Sequence, residues 1–155
     1  MHRIPVRQIM RSPVITIHPD ALAADAADLM DAHTIRRIPV VDDDGFLVGI
    51  VSDSDVLEAE TAGSLRSAYE PGMEEEWLGV DEIMTRDVVT VGPDVTIGEL
   101  VTEMLRHKIA GMPVVEAADG NPKQLRVIGI VTETDIFAMI AAAWQAEQTT
   151  EVFTR

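Results

Sequence analysis

The amino-acid sequence repeats itself, and this internal repeat constrains the fold more than any other feature. The segment VRQIMRSPVITIHPD at Val6–Asp20 matches VDEIMTRDVVTVGPD at Val80–Asp94. Further along, RRIPVVDDDGFLVGIVSDSD at Arg36–Asp55 matches AGMPVVEAADGNPKQLRVIGIVTETD at Ala110–Asp135, which has a longer turn. Two copies of one pattern indicate two similar structural units. A chain of 155 residues suits one compact domain or two small halves that share a core.

Each copy predicts the same order of elements, βαββα, and the chain as a whole therefore predicts an α+β fold. Short apolar runs rich in β-branched residues predict strands at Val14–Ile17, Arg37–Val41, Phe46–Val51, Val88–Val91, Met112–Val115 and Arg126–Val131. The first helix of each copy has apolar residues at the spacing of one buried face: Ala23, Ala26, Ala27 and Met30, then Ile97, Leu100, Val101 and Met104. A second helix is predicted after Ser52 and after Thr132.

The repeat divides the chain into three parts. We predict a first repeat at 1–62, a connector at 63–79 and a second repeat with a terminal helix and tail at 80–155. In the connector, Pro71-Gly72 breaks a helix, and we interpret the acidic run Glu74–Glu76 as solvated surface. One repeat of about 55 residues is near the lower limit for a stable core. We therefore expect the two repeats to face each other about a pseudo-twofold axis.

Charge and composition argue against several functions. The net charge of −15, without a long Lys/Arg run, disfavours binding to nucleic acid or to an anionic membrane. There is no cysteine, and the four histidines are scattered, so we expect no metal site and no enzyme. No apolar run is long enough to span a membrane, and Met1–Val14 does not resemble a signal peptide. We expect a cytoplasmic protein.

Both copies place a hydroxyl residue three positions before an aspartate, as Ser52 and Asp55 and as Thr132 and Asp135. This spacing is typical of a capping box at a helix start, although Glu or Gln is the usual partner. Thr96 and Glu99 match that pattern more closely. Capping explains the hydroxyl residues well and the aspartates less well, so a ligand-binding role stays open beside it.

The motifs, in the same order in both copies, resemble a tandem pair of cystathionine β-synthase (CBS) domains, called a Bateman module. The matching pieces are IMRSPVITIHPD and IMTRDVVTVGPD, IRRIPVVD and IAGMPVVE, and GIVSDSD and GIVTETD. The resemblance covers residues 4–62 and 78–144 and implies two βαββα CBS repeats packed about a pseudo-twofold axis. It also implies that the repeated aspartate binds a ribose and that the neighbouring hydroxyl residues assist.

The resemblance implies two sets of ligand-binding residues. The first set is Val14, Ile35, Arg36, Arg37, Ser52, Ser54 and Asp55, and the second is Val88, Ile109, Ala110, Thr132, Thr134 and Asp135. The apolar members would line a slot for the base, although they could equally be ordinary core residues. Arg36 and Arg37 stand where the family often places phosphate contacts, and the second copy has Ala110-Gly111 there.

The two sites should therefore differ. The first copy suits a phosphorylated nucleotide, and the second suits an adenosine-like or S-adenosyl ligand, or it takes cations from the other repeat. Further candidate cations are Arg11, Arg86 and Lys108.

The terminal helix indicates self-association. Its sequence from Ile136 to Trp144 is almost wholly apolar, and such a helix is usually buried on more than one side. CBS pairs commonly dimerise through these helices, so we expect a homodimer with Phe137, Ile140 and Trp144 near the contact. The alternative is packing against Ser64–Leu78 within one chain.

Together these features predict a non-enzymatic sensor module that needs no cofactor. It would bind AMP, ADP, ATP or an S-adenosylmethionine-like ligand in the cleft between the repeats and signal to an effector protein in trans. The alternative is a structural or protein-interaction module with vestigial pockets.

Overall fold

The structure is a computed structural model of the chain. It describes residues 1–69 and 78–154, and the side chains in these ranges except those of 63–69 and 150–154. The predicted break at Pro71-Gly72 and the acidic run Glu74–Glu76 lie outside the described residues. The described helices are α1 (Ala23–His33), α2 (Asp53–Tyr69), α3 (Val80–Ile83), α4 (Ile97–His107) and α5 (Glu133–Thr154). The strands are β1 (Arg37–Val41), β2 (Leu47–Ser52), β3 (Gly111–Ala118) and β4 (Asn121–Thr132).

The strands pair as two small sheets, β1 with β2 and β3 with β4. The prediction for β1 is confirmed at both ends, and β2 is confirmed with its bounds shifted by one residue. β3 and β4 are confirmed as strands, but the predicted longer turn between them is wrong, because the strands extend to Ala118 and from Asn121. Asp119 and Gly120, with φ of 50° and 74°, make a two-residue hairpin turn instead. The predicted turn after β1 is also confirmed, because an Asp42 side-chain oxygen accepts the backbone N–H groups of Asp44 at 3.0 Å and Phe46 at 2.9 Å. Gly45 in this turn has a φ of 84°, which favours glycine.

The predicted first strand of each copy is wrong. In place of Val14–Ile17 and Val88–Val91, the chain makes one parallel bridge per copy, Ile17 to Val40 and Val91 to Val114. Proline limits each bridge on both sides: Pro39 and Pro113 on the partner strands have no N–H for the residues before the bridge, and Pro19 and Pro93 have none after it. Proline has no backbone N–H, so the hydrogen-bond ladder cannot continue.

Contacts divide the chain into two compact units, and each unit combines segments from both sequence repeats. Unit 1 consists of Met1–Val14, Val89–Glu116 and Val127–Arg155. Unit 2 consists of Ile15–Val88 and Ala117–Arg126. The predicted boundaries at 62 and 80 describe the sequence repeat, and as domain boundaries they stay a prediction.

In unit 1 the core forms around α4, β3 and β4. Fully buried side chains include Leu100, Val114 and Val131, and Val6 from the N-terminal segment joins them. The predicted capping box at the start of α4 is confirmed. The Thr96 N–H donates to the Glu99 carboxylate at 3.1 Å, and the Glu99 N–H donates to the Thr96 hydroxyl at 3.3 Å.

Unit 2 has the equivalent arrangement. Ile38, Val40 and Val51 from the β1–β2 sheet are fully buried, and Val80 of α3 packs with them. The predicted buried face of α1 is confirmed, because Ala23, Ala26 and Met30 are buried and Ala27 is partly buried against the same core.

Each unit holds the Ile-Met segment of one repeat against the second strand of the other. In unit 1, Arg11 and Ile130 exchange backbone hydrogen bonds of 2.8 and 3.0 Å. In unit 2, Thr85 and Ile50 exchange equivalent bonds of 2.8 and 2.9 Å. The repeated motif therefore positions a residue of one sequence repeat beside the helix start of the other.

The glycine before each of these strand residues is explained by the same contact. A Cβ at Gly129 would lie 2.5 Å from the Met10 sulfur, and a Cβ at Gly49 would lie 2.5 Å from the Met84 sulfur. Neither approach is possible for a side chain without movement of the methionine. This contact accounts for the glycine at both positions.

Candidate functional site

In unit 2 the start of α2 is closed by a reciprocal pair of hydrogen bonds. The Ser52 N–H donates to Oδ2 of Asp55 at 2.8 Å, and the Asp55 N–H donates to the Ser52 hydroxyl at 3.2 Å. An aspartate thus fills the place that Glu or Gln usually takes in a capping box. Oδ1 of Asp55 accepts no hydrogen bond from the residues that the structure describes, and the side chain is partly exposed. One carboxylate oxygen therefore stays available at a helix N-terminus.

Arg36, which precedes β1, and Arg37, its first residue, lie beside this helix start. The Arg36 carbonyl accepts the Asp53 N–H at 2.8 Å, and Arg37 is directly opposite Ser52 in the β1–β2 register. Residues directly opposite each other in an antiparallel pair are on the same face. The Arg36 side chain is exposed and makes no ion pair with the described part of the chain. The structure therefore brings together four predicted residues of the first set: Arg36, Arg37, Ser52 and Asp55.

In unit 1 the start of α5 has the same backbone frame. The Ala110 carbonyl accepts the Glu133 N–H at 2.9 Å. Both the N–H and the hydroxyl of Thr132 donate to Oδ2 of Asp135, at 2.9 and 3.2 Å. Three predicted residues of the second set, Ala110, Thr132 and Asp135, are thus brought together.

The carboxylate in unit 1 has a further partner. Nε of Arg11 donates to Oδ1 of Asp135 at 2.8 Å and forms an ion pair with it. The Asp135 side chain is only 7% exposed, and the Arg11 side chain is 59% exposed. At the equivalent place in unit 2 the residue that pairs with Ile50 is Thr85. The two helix starts therefore differ in the cation that reaches the carboxylate.

Sequence reasoning named Arg11 as a possible phosphate contact and did not foresee its bond to Asp135. No local pattern in the sequence indicates this pairing, because Arg11 and Asp135 are 124 residues apart. Thr85 was missed as the counterpart of Arg11 for the same reason.

Four predicted residues have more ordinary surroundings. Ile35 and Ile109 are partly buried and pack against the cores of unit 2 and unit 1. Ser54 and Thr134 are exposed in the first turns of α2 and α5, and the Ser54 N–H donates to Oδ1 of Asp53 at 2.9 Å.

The other predicted residues are not grouped with the helix starts. Val14 belongs to unit 1, whereas the rest of the first predicted set lies in unit 2. Val88 belongs to unit 2, whereas the rest of the second predicted set lies in unit 1. The Arg86 guanidinium donates to the Asp81 carbonyl at 3.1 Å. Lys108 ends α4 in a left-handed conformation with a φ of 54°.

Two further observations concern metals and membranes. Among the side chains that the structure describes, no group of three or more His, Asp or Glu residues could hold a metal ion. No described helix combines the length and the apolar character that crossing a bilayer requires.

The chain is similar in sequence to part of a known enzyme. The chain is 32% identical over 131 residues to L-aspartate semialdehyde sulfurtransferase of Methanocaldococcus jannaschii. That match covers 84% of this chain and 22% of the relative, so the chain corresponds to about a fifth of the enzyme.

Two solved structures resemble nearly the whole chain. The CBS domain pair of protein MJ0100, in complex with 5′-methylthioadenosine and S-adenosyl-L-methionine, is 29% identical with a TM-score of 0.71. This match covers 90% of this chain and 98% of that one. CBSX2 in complex with AMP is 28% identical with a TM-score of 0.69, and the match covers 92% and 98% of the two chains.

The CBS domain family itself matches twice, at residues 6–62 and 80–142. These ranges contain both Ile-Met segments, both sheets and both helix starts described above. The chain belongs to the CBS domain family and carries a tandem pair of CBS domains.

Proposed function

We propose that this chain is a regulatory module that binds an adenine nucleotide or an adenosyl ligand, with the ribose held by the Asp55 carboxylate. The observation that carries the proposal is the Asp55 carboxylate, which caps α2 with one oxygen and keeps the other oxygen without a partner in the described structure. A carboxylate in this state can accept hydrogen bonds from the two hydroxyls of a ribose. The ligands named for the two similar CBS structures share an adenosine group.

Charge supports a phosphate on the ligand at this site. The chain carries a net charge of −15, so a phosphate needs local cations. We expect Arg36, which is exposed next to the start of α2, and Arg37, opposite Ser52, to contact the phosphate, and the N-terminus of a helix also favours an anion. The remaining predicted residues, including Ile35 and Ser54 here and Ile109 and Thr134 in unit 1, stay predictions as ligand contacts.

The output of the module is proposed to act on another protein. Ligand binding can shift a conformational equilibrium only through different affinities for the two states. We propose no catalytic role for this chain, and an effector in trans and a cytoplasmic location remain predictions from the sequence.

A homodimer through α5 is part of the proposal. Three apolar side chains on one face of this helix are exposed: Phe137 at 62%, Ile140 at 45% and Trp144 at 61%. Their spacing places them along one stripe, and an exposed apolar stripe is typical of an interaction surface. A second copy of the chain would cover it.

The proposal is tested by thermal unfolding with AMP, ADP, ATP, NAD, 5′-methylthioadenosine and S-adenosylmethionine, on the wild type and on Asp55→Asn. Asparagine keeps an acceptor for the Ser52 N–H and replaces the other oxygen with a donor, so the cap survives. A ligand at a hundredfold its Kd adds about 2.7 kcal/mol, which raises the midpoint by roughly 5–10 °C for this length. We expect such a shift for at least one ligand in the wild type and a much smaller one in Asp55→Asn.

A second candidate function is a structural or protein-interaction module. It is favoured by the observation that both aspartates already serve as helix caps without any ligand. If none of the six compounds shifts the midpoint, capping is a sufficient explanation for Asp55, and the interaction module becomes the better account.

A further inference from the structure

We infer that the Arg11–Asp135 ion pair is an internal competitor for ribose in unit 1, so that the two CBS domains bind adenosine ligands unequally. This inference rests on the proposed function of the repeated aspartate. It assigns Arg11 and Thr85, which occupy equivalent positions in the two units, as the residues that set this difference.

The two carboxylates differ in how many of their acceptor sites are free. A carboxylate offers about four lone-pair sites. The Asp135 carboxylate accepts three hydrogen bonds, one from Arg11 and two from Thr132. From the residues that the structure describes, the Asp55 carboxylate accepts one, from the Ser52 N–H. The two hydroxyls of a ribose need two free sites, which Asp55 has and Asp135 gains only by giving up a present partner.

The hydroxyl residues of the two caps also act differently. The Ser52 hydroxyl accepts a hydrogen bond from the Asp55 N–H, so it leaves the carboxylate untouched. The Thr132 hydroxyl donates to the Asp135 carboxylate and takes up one of its acceptor sites. Burial points the same way, because Asp135 is buried and Asp55 is partly exposed.

The residue that pairs with the second strand of each sheet decides whether a cation reaches the carboxylate from that position. Arg11 pairs with Ile130 and Thr85 pairs with Ile50, so the two side chains start from equivalent places on equivalent strands. An arginine is long enough to reach the aspartate at the start of the following helix and donates to it at 2.8 Å. A threonine is too short to do so. A single sequence difference between the repeats thus changes the state of the carboxylate.

Reciprocal exchange of the two residues tests the inference. We would titrate the wild type, Arg11→Thr and Thr85→Arg with 5′-methylthioadenosine in a calorimeter. This probe carries no phosphate, so an attraction between Arg11 and an anion does not enter. Asp55→Asn, alone and combined with Arg11→Thr, assigns each transition to one unit. Arg7→Thr is the matched control, because Arg7 is also exposed and ion-paired, with Asp94, and its removal changes the net charge equally.

We expect the wild type to bind more tightly at Asp55 than at Asp135. Arg11→Thr should tighten binding at Asp135 about fivefold, as expected for the loss of one competing ion pair, and Thr85→Arg should weaken binding at Asp55. Arg7→Thr should change neither. Unliganded melting curves check that each variant is folded, and threonine at position 11 reproduces the residue present at position 85.

Each result is decisive. Binding by the wild type with unchanged or weaker affinity at Asp135 in Arg11→Thr overturns the inference and leaves the proposed function intact. Equal affinities of the two wild-type sites also overturn it. The absence of 5′-methylthioadenosine binding in the wild type and in Arg11→Thr overturns the inference, and the absence of AMP binding as well overturns the proposed function.

Discussion

At the scale of single residues, the two repeated aspartates combine capping with a capacity for ligand binding, and they do so to different extents. Within the described part of the chain, the Asp55 carboxylate accepts one hydrogen bond and the Asp135 carboxylate accepts three. The same sequence motif therefore produces a carboxylate that is mostly available in one unit and mostly engaged in the other. Asp135, whose carboxylate is more engaged, should therefore contribute more to the stability of the fold than Asp55.

We predict that Asp135→Ala destabilises the protein more than Asp55→Ala. Loss of the Asp55 cap should lower the free energy of unfolding by about 1 kcal/mol, and loss of the Asp135 contacts by about 2 kcal/mol, because a charge-assisted bond to Arg11 is lost as well. Urea unfolding of both variants without ligand measures the difference. Equal effects, or a larger effect at Asp55, would contradict the hydrogen-bond pattern described for the two helix starts.

The cap was predictable from the sequence, and the partner of Asp135 was not. The spacing of Ser52 and Asp55 indicates a helix start because it involves neighbouring residues. Arg11 and Asp135 lie at opposite ends of the chain, and their contact depends on the pairing of Arg11 with Ile130. Local patterns contain no information about that pairing.

At the scale of elements, the Gly-Ile-Val motif lies where the Ile-Met segment of the other sequence repeat packs. The glycine leaves room for a methionine from the other sequence repeat, Met10 on Gly129 and Met84 on Gly49. The following isoleucine then exchanges backbone hydrogen bonds with the next residue of that segment.

We predict that Gly129→Ala lowers the free energy of unfolding by about 1–3 kcal/mol, the usual range for overpacking a core. The new Cβ would lie 2.5 Å from the sulfur and 3.0 Å from Cγ of Met10. Gly92→Ala is the control, because the nearest atom to its Cβ is 4.0 Å away on Val95. Thermal unfolding that shows Gly129→Ala to be as stable as Gly92→Ala would count against close packing of Met10.

The elements that the sequence predicted well are those with strong local signals. The apolar stripes of α1 and α4 and the strand β1 lie where their patterns placed them. The first strands, Val14–Ile17 and Val88–Val91, were predicted from β-branched residues. They form single bridges instead, because Pro39 and Pro113 on the partner strands and Pro19 and Pro93 after the bridges lack the N–H groups that a longer ladder needs. The proline effect was visible in the sequence, whereas the partner of each bridge was not.

At the scale of the whole molecule, each compact unit requires both sequence repeats. Unit 1 contains Met1–Val14 together with most of the second repeat, and unit 2 contains the segment up to Val88 together with most of the first. Sequence repeats and folded units are therefore different divisions of this chain.

We predict that a fragment of residues 1–69 does not fold, because unit 2 then loses the fully buried Val80 and the pairing of Ile50 with Thr85. A fragment of residues 78–155 should fail for the equivalent reason. Circular dichroism of each fragment and of their mixture tests this, and we expect cooperative unfolding only in the mixture. A cooperative transition of either fragment by itself would refute it.

The proposed dimer makes a separate prediction. Sedimentation should give a mass near twice 16.9 kDa for the wild type and a monomer for Phe137→Glu with Trp144→Glu, because charges on the apolar stripe of α5 disfavour its burial. Leu105→Glu, at a residue that is 74% exposed on α4, is the control and should leave the mass unchanged. A monomeric wild type would remove the dimer from the account.

The central claim is that the Asp55 carboxylate binds the ribose of an adenosine ligand. It is tested most directly by a calorimetric cycle that combines AMP or 2′,3′-dideoxy-AMP with the wild type or Asp55→Asn. If the carboxylate binds the two hydroxyls, each change weakens binding, and the preference for AMP over its dideoxy analogue disappears in Asp55→Asn. A preference that is as large in Asp55→Asn as in the wild type would show that the ribose is bound elsewhere and would contradict the account.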